Sequence, residues 1–352
     1  MFNNTELISV NNIEEDIILV SDKMLSYFTL INTWGLGQCL TFFGLIANVL
    51  NIVVFLRQGL HDPVNISLLG LSVSDLGSLI FHFLTNLCWA PSIIMMDLPF
   101  YPTQIMYFLV WIQILFNRVT TGMTAWIIFE RCLCIVLPLK IKSIITPRRT
   151  LTFIIALNVM MFSSAIPVFY ATRIVWLFDS RRNKSVLGIA RIAHNAYIQQ
   201  VAFWINNILP ISFFIFITVC TVILVKSLQK NSKWKEKSVS SQSHAVTSSR
   251  DTKVVRMVTI ISAVFIVCYA PGAVVFIFIL IYPEMAYAGK QKNLVVAVFS
   301  VLVQFEGINA SANIFIYLTM SSKFKSTFEN LFCLYCYNIT RRSGSNAPGI
   351  RN

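Results

Sequence analysis

The chain has 352 residues, of which 56% are hydrophobic and 12% charged, with a mean hydropathy of +0.69. A soluble domain is charged at about a quarter of its positions, so this composition excludes water as the main solvent. The net charge of +13 then belongs to membrane-flanking segments and not to a nucleic-acid-binding surface.

The first 33 residues read as a tail. They carry Glu6, Glu14, Glu15, Asp16 and Asp22 and the sequon Asn3-Asn4-Thr5. A basic start followed by an apolar core is missing, so no cleavable signal peptide is expected and the first helix acts as its own insertion signal. A spanning helix needs about 20 mainly apolar residues. Seven such stretches follow, near 35–56, 64–90, 105–136, 150–170, 197–225, 254–281 and 294–319. The predicted fold is all-α, a seven-transmembrane-helix bundle over 34–320, with 321–352 as an amphipathic eighth helix and cytoplasmic tail.

The connections differ in kind. The one after the fourth helix is basic (Arg173, Arg181, Arg182, Lys184, Arg191) and holds a second sequon, Asn183-Lys184-Ser185. Residues 226–253 are rich in Ser, Lys and Gln and lack the apolar content to build a core, so they read as a linker. Residues 321–333 place Phe324, Phe328, Leu331 and Phe332 on one helical face beside Lys323 and Lys325, which suits a helix lying along a membrane surface. Cys333 and Cys336 at its end are either lipidation sites or ordinary interfacial cysteines.

Orientation follows from the basic residues. With the N-terminus outside, most of the 28 Lys and Arg fall on the inner segments, among them Arg57, Lys140, Arg148, Lys226, Lys253 and Lys323. This predicts a multi-pass plasma-membrane protein with an extracellular N-terminus and anionic lipids at its inner face.

Polar groups inside lipid are costly and so tend to face the bundle interior. Asn48, Asp75, Thr120, Asn309 and Asn313 are candidates for one central cluster. Glu306, Asn309, Asn313 and Tyr317 share one face of the seventh helix, and Gln113, Asn117, Thr120 and Thr124 form a stripe on the third. Simple helix-helix hydrogen bonding would also explain both stripes. Glu130 and Arg131 close the third helix, where interface anchoring is the plainer alternative. Arg118 and Glu306 lie deep in the outer half: either they pair with each other, or they bracket a charged ligand with Gln113, Asn117, Asn206, Asn207 and Tyr269. His82 reads as a packed helix residue. His61, His82, His194 and His244 are scattered without metal spacing, and no nucleophile-base pair is visible, so no enzyme is expected. A transporter or channel is the rival class, although repeated halves and interrupted helices are not seen.

Taken in order, these motifs resemble the rhodopsin-like (class A) G-protein-coupled receptor family over 34–333. They are Gly44 to Val49, Leu71-Ser72 with Ser74-Asp75, Glu130-Arg131-Cys132 with Ile135, Pro138 and Leu139, then Pro210, then Phe265, Cys268, Tyr269 and Pro271, and finally Asn309, Asn313 and Tyr317. The stretch 129–150 is similar to gastropod mollusc chemosensory receptors and invertebrate neuropeptide receptors.

The resemblance implies a receptor whose partners are a heterotrimeric G protein and an extracellular small-molecule or peptide ligand. It implies a switch of Glu130, Arg131, Asp251, Phe265, Tyr269, Pro271, Asn313 and Tyr317, with Arg131 held by Asp251 at rest. Asp75, Thr120, Asn309 and Asn313 match the family's sodium pocket, with Ala310 where a serine is common, and no other cofactor is implied. The chain departs from the pattern at Cys132, Tyr269 and Ile314, the last replacing a proline. The outer disulfide is also missing, since neither 101–111 nor 171–200 contains a cysteine, which implies a freer second outer loop.

Overall fold

The structure, a computed structural model, describes residues 18–137, 140–180, 182–191, 196–237, 245–282 and 289–333. Within these, the side chains at 142, 191, 196–200, 202–204, 231–237, 245–252, 280 and 333 are outside the description. Asn3, Cys336 and the side chains of Asp251 and Cys333 therefore lie outside the described residues.

Seven helices are long and apolar enough to cross a membrane: α1 (Asp22–Gln58), α2 (Pro63–Leu87), α3 (Pro102–Val136), α4 (Pro147–Tyr170), α5 (Ala196–Lys237), α6 (Ala245–Ile281) and α7 (Lys292–Met320). Their starts follow local chemistry. Asp62 accepts a hydrogen bond from Val64 N at 3.1 Å ahead of Pro63, and Thr146 accepts one from Arg149 N at 3.3 Å ahead of Pro147. Both are N-caps placed before a first-turn proline, whose missing N–H has no helical partner there anyway.

The first helix begins thirteen residues earlier than the apolar run at 35–56 predicts. Ser21 caps it by accepting from Met24 N at 3.3 Å. Its polar residues are spent on α7: Asn293 donates to Asp22 Oδ1 at 2.8 Å, and Asn32 donates to Ser300 Oγ at 3.0 Å. Residues Leu30–Gly37 form a π-helical turn between its two α-helical parts.

α3 is the central helix, packed against α2, α4, α5 and α6. Val119, Met123, Ile127 and Ile128 pack with Leu68 and Leu71 of α2, Ile217 of α5 and Phe265 of α6 in the main core. The opposite faces stay apolar and open, as at Ile155 and Val159 on α4, Val219 on α5 and Val267 and Val274 on α6, which is what a lipid solvent requires. Pro210 and Pro271 sit inside α5 and α6. α7 has Ile314 where the resemblance has proline, and it runs unbroken.

The all-α expectation meets one local exception, and the freer loop is corrected. Strand β1 (Thr172–Asp179) pairs antiparallel with β2 (Lys184–Arg191), from Thr172 opposite Arg191 to Asp179 opposite Lys184. Asn183 is exposed in the turn with φ 48°, a left-handed conformation that asparagine tolerates. Without any disulfide, the hairpin is fastened to the start of α3. Leu187 N donates to Pro99 O at 2.7 Å, Ile189 N to Gln104 Oε1 at 2.6 Å, and Tyr101 Oη to Asp179 Oδ2 at 2.6 Å. Asp97 pairs with Lys184 and, at 3.8 Å, with Arg182.

After α7, α8 (Ser322–Phe328) continues into a π-helical turn, Glu329–Cys333. Phe324 is buried with its ring 5.2 Å from Phe55 and 5.3 Å from Tyr317. Part of the apolar face expected to meet lipid therefore packs onto α1 and α7.

Candidate functional site

The interior polar groups assemble into three levels along α2, α3 and α7. Nearest the hairpin, Ser78 Oγ donates to Asn117 Oδ1, and Asn117 Nδ2 donates to the Glu306 carboxylate at Oε2. Gln113 and Asn117 are almost sealed. Arg118 and Glu306 are only partly buried. The contact pair between these two that the sequence allows does not form: among the described residues Arg118 makes no ion pair and no hydrogen bond, and its Nε is buried without a partner.

Tyr269 stacks on Phe265 with ring centroids 4.2 Å apart. Asn206, expected to serve a ligand, links α5 to α4, donating to Ser164 O at 3.3 Å and accepting from Ser164 Oγ at 3.1 Å. Asn207 is half-buried. His82 is buried with its Nε2 unpartnered, a less satisfied position than simple packing suggests.

At the middle level, Asp75 is fully buried. It accepts from Thr120 Oγ1 at 2.8 Å and from Asn313 Nδ2 at 2.8 Å. Asn48 donates to Ala310 O at 2.8 Å and so ties α1 to α7. Three of the five expected members meet at this carboxylate. Asn48 is diverted to backbone, and Asn309, though buried, makes no hydrogen bond to Asp75 among the described residues.

The sodium site implied by the resemblance can be tested against this geometry. Asp75 is a buried carboxylate with no cationic partner among the described residues, and its neighbours offer hard hydroxyl and amide oxygens, the donor type that alkali and alkaline-earth cations take. The residues fit such an ion in kind.

At the far end of α3, Glu130 is 1% exposed. It accepts from Ser67 Oγ at 3.1 and 3.2 Å and from Thr150 Oγ1 at 3.3 Å, while Arg131 Nη2 stands 3.9 Å away. Mere interface anchoring does not account for a carboxylate enclosed by α2, α3 and α4. Arg131 opens onto a cleft of about 280 Å³ lined by Asp62, Val64, Ile141, Ile145 and Thr146. Tyr317 is buried against Phe55 at 5.1 Å.

Sequence reasoning missed Ser67, Ser78 and Thr150. The signal for two of them was present: Ser67, Ser74 and Ser78 recur at helical spacing on one face of α2. That face runs antiparallel to the α3 stripe, so Ser78 meets Asn117, Ser74 meets Thr120 at 3.0 Å and Ser67 meets Glu130.

A family model described as serpentine type 7TM GPCR chemoreceptor Srw matches residues 36–335. No curated protein matches the chain.

Proposed function

Because the chain belongs to the serpentine type 7TM GPCR chemoreceptor family Srw, we propose that it is a chemosensory receptor that carries ligand binding at the Arg118–Glu306 level to a heterotrimeric G protein at Arg131. Family membership makes it a multi-pass membrane protein of the G-protein-coupled receptor class, with a ligand and a G protein as general partners. The finer reading places the hairpin and N-terminus outside the plasma membrane and the Arg131 cleft in the cytosol, and keeps the likeness to class A and gastropod chemosensory receptors.

The observation that supports this most is the polar ladder between α2 and α3. Its rungs are Glu306 with Asn117 and Ser78 at one end, Asp75 with Thr120 in the middle, and Ser67 with Glu130 at the other. A two-state switch needs contacts that a ligand can favour in one state over the other. Asn117 and Glu306 supply these at the ligand end, where α3 meets α7. Glu130 supplies the opposite end by keeping an acid beside Arg131. Asp75, Thr120 and Asn313 would hold a sodium ion, which when bound supplies the positive charge that this buried carboxylate lacks.

A neuropeptide ligand is the second reading within the same class, drawn from the likeness of 129–150 to invertebrate neuropeptide receptors, with the basic outer loop as the surface that would steer a charged peptide. Two of its cations, Arg182 and Lys184, are occupied by Asp97 and Asp179, which leaves less free charge to steer an acidic peptide. Exposed Asn183 is a glycosylation site in this reading, and Cys333 and Cys336 anchor the tail to lipid.

Expressing the receptor with a calcium readout, and screening small water-borne metabolites beside amidated peptides, tests the proposal. Activation by a metabolite that disappears in Arg131→Ala at normal surface expression is expected. Ligand-evoked solute flux that does not require Arg131 would revive a transporter or channel.

A further inference from the structure

Arg118 and Glu306 stand at one level of the bundle with opposite charges, yet they do not form a contact pair. Glu306 has one carboxylate oxygen, Oε2, engaged by Asn117. Among the described residues its other oxygen accepts nothing, and Arg118 has neither an ion pair nor a hydrogen bond. Both side chains are only partly buried, while Gln113 and Asn117 around them are almost sealed. The two charged residues are thus the less enclosed ones at this level, although Arg118 Nε itself is sealed.

Charge placed in a low-dielectric interior is retained at a cost and usually finds an opposite charge. Here neither charge has an opposite charge in contact among the described residues. An uncharged ligand would leave both unmatched, and a ligand with a single charge would satisfy one while desolvating the other. A ligand carrying both signs satisfies both and adds no net charge to the site.

We propose that the Arg118–Glu306 level binds a small zwitterion, a molecule with one carboxylate and one ammonium as in a free amino acid. The guanidinium of Arg118 offers the planar fork that engages a carboxylate through two parallel hydrogen bonds. The free oxygen of Glu306 takes the ammonium. Tyr269, stacked on the fully buried Phe265 at 4.2 Å, is the aromatic residue that the proposal assigns to the remaining part of the ligand. Amidated peptides carry no terminal carboxylate, so they cannot make the Arg118 half of this contact with their C-terminus.

This inference rests on the reading of that level as the ligand site, and the test separates the two. The full-length receptor is expressed with an extracellular tag for surface counting and read out by G-protein activation. The probes are the common L-amino acids, the same compounds as amides, which lack the carboxylate, and as N-acetyl derivatives, which lack the ammonium. The expected result is activation by at least one free amino acid, with both derivatives weaker by about 100-fold, the scale of one lost charge-assisted hydrogen bond set in a desolvated site.

In Arg118→Gln the free acid and the amide should become equally weak, and in Glu306→Gln the free acid and the N-acetyl form should. Arg118→Lys and Glu306→Asp keep the charges and guard against loss of folding, and they should retain the preference for the free amino acid. An amine or an acid alone that activates as strongly as its zwitterion, and depends on only one of the two residues, overturns the zwitterion while leaving the site in place. So does a panel in which no free amino acid activates. A response unchanged in both Gln variants at normal surface count overturns the site itself.

Discussion

Ser67 of α2 donates to both oxygens of the Glu130 carboxylate of α3, at 3.1 and 3.2 Å. The hydroxyl therefore shares a buried acid with Arg131, 3.9 Å away. Replacing Ser67 with Ala removes that bond and leaves Glu130 to Thr150 and Arg131. The variant should lose about 1 kcal/mol of stability and signal more without ligand, because the acid beside Arg131 is less firmly placed. Thermal unfolding in detergent and basal G-protein activation check the two halves.

Arg131 is expected to have a second acid across the bundle. α6 carries Asp251 twenty residues before Pro271, where the resemblance places the acid that restrains this arginine. Asp251→Asn should raise ligand-free signalling several-fold without changing surface expression. Unchanged basal activity would remove Asp251 from the switch.

Asp75 accepts from Thr120 and Asn313 and lacks a cationic partner among the described residues. If sodium serves as that partner, agonist affinity should fall as sodium replaces potassium in the assay buffer. Asp75→Asn should abolish this sensitivity. Equal affinity in both salts for the parent receptor would exclude the ion.

The hairpin fastening should be acid-sensitive. The hydrogen bond from Lys184, opposed by desolvation and aided by the charges of Lys184 and Arg182, holds the Asp97 carboxyl below its ordinary value. A carboxyl depressed in the folded state contributes its stability above the unfolded value, about 4, and loses it as pH falls through the lower folded value. Hydrogen exchange at Leu187 and Ile189, after correction for intrinsic rates, should report steady protection from neutral pH to about 5 and weaker protection below about 4. Asp97→Asn should be less protected at neutral pH and lose less protection across that range, the remaining acid-sensitive fastening being Asp179 with Tyr101 and Arg182.

The seven spans were legible because each is long, apolar and set off by proline or cap residues, as at Asp62-Pro63 and Thr146-Pro147. The start of α1 was not legible, since Asp22 and Asn32 look like tail residues until α7 supplies Asn293 and Ser300 as their partners. The hairpin escaped notice because its strands mix basic and aromatic residues, and its hydrogen bonds to Pro99 and Gln104 join segments about 85 positions apart. Asp75, Thr120 and Asn313 were found by polarity alone. Whether Arg118 touches Glu306 depends on how α3 and α7 are rotated about their axes, and helical spacing fixes a face but not that rotation.

Agonist-driven nucleotide exchange on a heterotrimeric G protein, measured in membranes bearing the parent receptor or Arg131→Ala at equal surface density, tests the central claim most directly. The account predicts exchange in the parent and its loss in the variant, with ligand binding retained in both. Exchange that persists in Arg131→Ala, or a parent receptor that binds ligand without any exchange, would contradict it.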